Sequence, residues 1–166
     1  MNAIDFAKHA METSKHLVLT LIMDMKDAPL TQPTAKGGNH PLWILGHLVY
    51  SEANIISDIL LGETNPLAEW SDIFGGGSEP VTDVSHYPPF DEVAAKYEEV
   101  RERTMTLLNC FTEADFDKPS KNCPEDREAF FGTAGKCFAV IALHPALHYG
   151  QVADARRTAG RQALIA

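Results

Sequence analysis

The chain is short of cysteine, of basic charge and of long apolar runs, and each shortage removes a class of protein. Its three cysteines, Cys110, Cys123 and Cys137, are an odd number with no close pair. They suit neither a disulfide framework nor a Cys-x-x-Cys zinc or redox motif, so isolated, reduced thiols are expected. Fourteen Lys and Arg stand against 23 Asp and Glu, a formal charge of -9 that repels a phosphate backbone and excludes nucleic acid as the expected partner. The one small basic cluster, Arg156, Arg157 and Arg161, falls at the end of the last predicted helix, where positive charge offsets the helix dipole. No run approaches the roughly 20 apolar residues that a membrane span needs, so no membrane association is expected. The first residues, "MNAIDFAKHAMETSKHLVL", mix acidic and polar groups with apolar ones and lack the features of a signal peptide, which predicts a cytoplasmic protein. Alternating β-branched runs are missing as well, so no strand is predicted, and there is no internal repeat.

Helical periodicity is what remains. Ile4, Ala7, Met11, Ser14, Leu17, Val18, Leu21, Ile22 and Met25 follow steps of three and four residues, an amphipathic helix of about six turns. The segment "DAPLTQPTAKGG" ends it, and Asn39 or His40 followed by Pro41 caps a second helix over residues 40–61. From Gly62 to Pro89 no period is sustained, which predicts an irregular loop. A helix of about 22 residues is about 33 Å long, and this loop has chain enough to travel that length as a crossover. A third helix carries an apolar stripe through Val93, Ala94, Tyr97, Val100, Thr104, Leu107, Leu108 and Phe111. The charges of Lys96, Glu99, Arg101, Glu102 and Arg103 are assigned to its solvated face. After another irregular stretch, a fourth helix runs from about Thr133 to a stop at Gly160. The length of 166 residues fits one domain, 1–166, and the pattern predicts an all-α, four-helix bundle with a long crossover between helices 2 and 3.

Within the fourth helix, "LHPALHYGQ" puts His144 and His148 one turn apart on the same side, near apolar Val140, Ile141, Leu147 and Val152. Two readings stay open on spacing alone: a shared metal ion, or core imidazoles satisfied by a carbonyl or carboxylate. Pro145 replaces the Glu of a His-Glu-x-x-His metalloprotease, so that mechanism lacks its base, and the proline ring threatens to kink the helix and re-aim His144. A cation needs further ligands, and His47 inside the apolar "WILGHLVY" is the best third candidate. Three neutral imidazoles suit a divalent ion such as zinc or nickel, with manganese and iron as further candidates. His9, His16, His40 and His86 are assigned surface or capping roles. Gln151 can orient a ligand or support packing, and neither it nor Tyr149 is given a catalytic role.

The pairing of "PLWILGHLVYSE" with "LHPALHYGQVADARRTAG" resembles the DinB/YfiT-like superfamily of bacterial four-helix proteins. There a Trp-x-x-x-His segment and a later His-x-x-x-His-x-Gly-Gln segment supply a metal-binding histidine triad. The resemblance extends through "EWSDIFGGGSEP" and "YPPFDEVAAKYEEVRERTMTLL", covering nearly the whole chain, while Pro145 departs from the usual polar or acidic residue. It implies a cytoplasmic homodimer with a divalent metal on His47, His144 and His148. By the same resemblance, the activity is metal-dependent transfer of a low-molecular-weight thiol to a small electrophilic substrate. A metal-dependent hydrolase and a non-catalytic metal-binding helical module are the alternatives.

Overall fold

Asn2 accepts the backbone N–H of Asp5 at 2.8 Å and starts α1, Ala3–Asp24, in the computed structural model, which describes residues 1–164. His40 caps α2, Pro41–Asn54, in the same way, its Nδ1 accepting the N–H of Trp43 at 3.0 Å while Pro41 occupies the first turn, where an amide hydrogen is not needed. The helix continues through a π-helical turn, Ile55–Leu60, so the stretch read as helix over 40–61 is one helical run with a change of winding. The wider turn keeps Ile55, Ile56, Ile59 and Leu60 all buried. The other long helices are α4, Phe90–Asn109, and α6, Ala134–Thr158. Thr133 caps α6, and Gly160, at φ +78°, sits in the left-handed conformation that ends helices.

The segment read as an irregular loop holds three short helical pieces: Ala68–Trp70, α3 at Ser71–Phe74, and Val84–His86. Each is a single turn or less, too short to register as a period. Trp70, Phe74 and Tyr87 from this segment are buried, so it packs as part of the core. The stretch between α4 and α6 likewise forms turns at Glu113–Asp117 and Glu125–Arg127 and a short α5, Glu128–Phe131. The described residues contain no strand, only isolated bridges, and no helix long and apolar enough to cross a membrane. α1 packs along α6 and α2 along α4, while α2 also touches α1 and α6.

Two apolar clusters fill the interior. One gathers Val18, Trp43, Phe74, Tyr97 and Val152; the other gathers Met11, Ile55, Leu108, Phe138 and Ile141. Where each long helix passes from one cluster to the other, its buried or half-buried residues turn polar: Ser14 and Lys15 on α1, Glu52 on α2, Arg101 and Thr104 on α4, His144 and His148 on α6.

Arg101 corrects the sequence reading, which placed it on a solvated face. It is 2% exposed, with Nε and Nη2 donating to the two oxygens of Glu52 at 2.8 and 2.7 Å and Nη1 donating to the Met11 carbonyl at 2.6 Å. Its position, four residues after Tyr97 and three before Thr104, lies on the core stripe, so spacing outranked residue type. Arg156 departs similarly from a role limited to the helix dipole: it is buried, and its guanidinium donates to Asp24 at 3.0 and 2.7 Å. Leu17, assigned to the apolar stripe of α1, is instead 38% exposed.

Candidate metal centre

His47 projects from α2 toward His144 and His148 on α6, and one ring nitrogen from each lies within 4.8 Å of the other two. The Nε2 atoms of His144 and His148 are 3.1 Å apart. Two nitrogens on a tetrahedral zinc, each at about 2.0–2.1 Å, would stand about 3.3 Å apart, so the cluster is close to ligating dimensions as folded. Pro145 lies within an unbroken α6, and the two histidines it was expected to disturb still converge.

The outer ring nitrogens explain the aim of two of the three. Helix α3 ends at Phe74, where a carbonyl has no partner within the helix. That carbonyl accepts Nδ1–H of His47 at 2.8 Å, leaving Nε2 with its lone pair toward the cluster. His148 donates Nδ1–H to Oε1 of Gln151 at 2.7 Å, and the same oxygen accepts from Nδ2 of Asn39 at 3.2 Å. His144 has no such outer partner among the described residues. Trp43, one turn before His47, stacks flat on its ring at 4.6 Å between centroids.

Burial keeps the cluster neutral. It lowers the pKa of His47 to about 4, with proximity to His148 adding to the effect and the bond to Phe74 opposing it. His144 is lowered to about 3 by burial first and then by its two histidine neighbours. His148 is lowered by burial against the opposing bond to Gln151. All three imidazoles are therefore free of charge at neutral pH, the state that ligation requires.

No carboxylate joins the three imidazoles among the described residues. Glu52, the one buried carboxylate among the described residues, borders the same packing gap as His144, a gap too small for water, and both its oxygens are occupied by Arg101. A cavity of about 340 Å³ adjoins the cluster, walled by His47, Ser51, Asn54, Phe131, Val140 and His144 among others.

The remaining candidates sort as expected in most cases. His9, His16 and His86 are exposed, and His40 is a cap, though a buried one that also bonds the Val81 carbonyl and the Tyr87 hydroxyl. The three cysteines are unpaired. Sequence reasoning missed Phe74 and Asn39 as positioning groups and Trp43 as the stacking partner of His47. The four-residue step from Trp43 to His47 was a usable signal for the stack. Nothing local announced the Phe74 carbonyl, which arrives through a backbone atom 27 residues away.

An all-helical chain with a cluster of three neutral histidines between two long helices belongs to the class of candidate helical metalloproteins. A family model, that of the DinB superfamily, matches residues 10–152, and the chain belongs to that superfamily. No curated protein matches it.

Proposed function

We propose that this protein is a divalent-metal enzyme of the thiol S-transferase type, in which His47, His144 and His148 hold the ion. One observation carries the reading: three neutral imidazole nitrogens from two helices lie within 4.8 Å of one another, and two of the rings are aimed by partners at their far nitrogens. The donor set fits zinc or nickel best, with manganese and iron behind, and three protein ligands leave positions for exogenous groups. A bound divalent ion supplies Lewis acidity that lowers the pKa of a low-molecular-weight thiol toward neutrality. The chain's own part is to hold its ligands neutral and oriented, and to offer the adjoining cavity of about 340 Å³ to a small electrophile.

The same reading takes residues 1–166 as one domain, a four-helix bundle whose segment 62–89 crosses between the second and third long helices. It places the protein in the cytoplasm as a homodimer. Support for the dimer comes from α6, where Leu143 and Leu147 are 62% and 75% exposed and Ala139, Ala146 and Gly150 are exposed beside them, an apolar face that a second copy would cover. A metal-dependent hydrolase is less well supported, because Glu52, the buried carboxylate nearest the cluster, is engaged by Arg101. A non-catalytic module would show a large loss of thermal stability on chelation and no exchangeable coordination position.

Protein purified without chelator should carry close to one divalent ion per chain by elemental analysis, and the double variant His144→Ala, His148→Ala should carry none. No ion after loading with zinc, nickel, manganese and iron sinks the metal site. If the loaded, folded protein consumes no thiol with a panel of electrophiles, the transferase assignment fails while the metal site stands.

A further inference from the structure

The cavity beside the histidines has a mixed lining of apolar and polar side chains and a single charged one. His47, Tyr50, Ser51 and Asn54, at helical steps along one face of α2, line one side, while Pro124, Arg127 and Phe131 line another. Arg127 is the one charged residue in that lining. Arg127 is exposed, as are its sequence neighbours Glu125, Asp126 and Glu128, but of these four only Arg127 forms part of the cavity wall.

Among the described residues, five of the six arginines pair with a carboxylate: Arg101 with Glu52, Arg103 with Glu63, Arg156 and Arg161 with Asp24, and Arg157 with Asp154. Arg127 is the exception. In a chain carrying -9, where carboxylates outnumber cations, the arginine left without one is the arginine that lines the cavity. A planar guanidinium offers a fork of donors matched to a carboxylate, and one such fork neutralises a monoanion.

We propose that Arg127 is the specificity-determining residue of this cavity and that the substrate is a small, largely apolar monocarboxylate. Its anionic end pairs with Arg127, while Ser51 and Asn54 of α2 offer hydrogen bonds along the way to the histidines. The proposal rests on the metal-centre reading for what happens at the other end, but the recognition of the carboxylate belongs to Arg127 alone.

The test uses the full chain, zinc-loaded and metal-free, titrated with para-trifluoromethylbenzoate and with the matched amide, para-trifluoromethylbenzamide, and followed by fluorine NMR. A charge-assisted bond at a partly open site gives the carboxylate a preference of about tenfold over the amide. That preference should shrink as salt is raised, disappear in Arg127→Gln and survive largely in Arg127→Lys. It should be present with and without zinc. Equal binding of the two probes, or a preference that persists in Arg127→Gln, overturns the proposal; so does one that vanishes when zinc is removed, since the carboxylate would then be on the metal. Zinc content is measured separately, so failure of the metal site leaves the metal-free titration to decide the role of Arg127.

Discussion

Gly46→Ala tests how packing is transmitted to the histidine cluster. Gly46 lies in the middle of α2, beside His47, and a Cβ there would fall 2.2 to 2.4 Å from three carbons of the Phe74 ring. Ordinary carbon contacts are about 3.5–4.0 Å, so the ring must retreat by more than about 1 Å. It has nowhere to go: Phe74 is wholly buried, packed on Trp70 at 5.2 Å and on Tyr87 at 5.6 Å between centroids. Alanine in a helix interior gains up to about 1 kcal/mol over glycine, whereas overpacking a closed core costs about 1–3 kcal/mol. With a clash this deep the upper part of that range applies, for a net loss of about 2 kcal/mol, or a Tm lower by about 4–8 °C. The second effect falls on the site. Because Trp70 and Tyr87 block the ring, the retreat must draw the Phe74 backbone with it, and a carbonyl displaced by about 1 Å stretches the 2.8 Å bond from His47 Nδ1 beyond hydrogen-bonding range. Losing an orienting partner of a metal-ligating histidine typically weakens metal binding about 10- to 100-fold. Thermal melts of the metal-free protein give the first quantity, and competition against a chromophoric zinc chelator gives the second. Adding Phe74→Leu should return part of both by making room. A Gly46→Ala protein that melts at or above the parent temperature and binds zinc equally well would refute the reasoning.

Truncating Glu52 to alanine removes the buried, bidentate partner of Arg101, leaving only half-exposed Glu12 at 3.5 Å, and should destabilise the fold by about 3 kcal/mol, measured by urea unfolding; Glu52→Leu with Arg101→Met should recover much of it. The stability of the metal-free protein should fall with acid. His47 and His144 have folded-state pKa values of about 4 and about 3, below the unfolded 6.5, so the unfolded chain binds more protons in between. Each histidine then removes up to about 1.4 kcal/mol per pH unit as pH drops from about 6.5 toward its folded value, and a flat profile across that window would contradict their burial as neutral groups. Gln151→Leu should leave the melt within about 1 kcal/mol of the parent while weakening zinc about 10- to 100-fold, because it removes the acceptor that orients His148.

The legible parts of this protein were those written at short range. The spans of the long helices follow from three- and four-residue apolar steps and from local stops, so α1, α4 and α6 lie within a few residues of their expected bounds. His144 and His148 share a face by helical spacing alone, and that face is where they meet. Single-turn pieces such as α3 escaped because one turn carries no period, although this turn delivers both the Phe74 ring that packs against Gly46 and the carbonyl that aims His47. Arg101 was misplaced because residue type suggested water, while only the arrival of Glu52 from another helix makes its burial tolerable.

By itself the amino-acid sequence determined an all-helical chain, an acidic composition and which three histidines to suspect, since these depend on composition, on neighbours along each helix and, for joining His47 to the pair, on the family resemblance. Tertiary structure alone decided that His47 reaches the other two, that burial strips all three of their charge, and that the one arginine without a carboxylate among the described residues lines the cavity beside them. Those facts depend on atoms brought together from distant parts of the chain, and the distance between them is set by packing rather than by any local pattern.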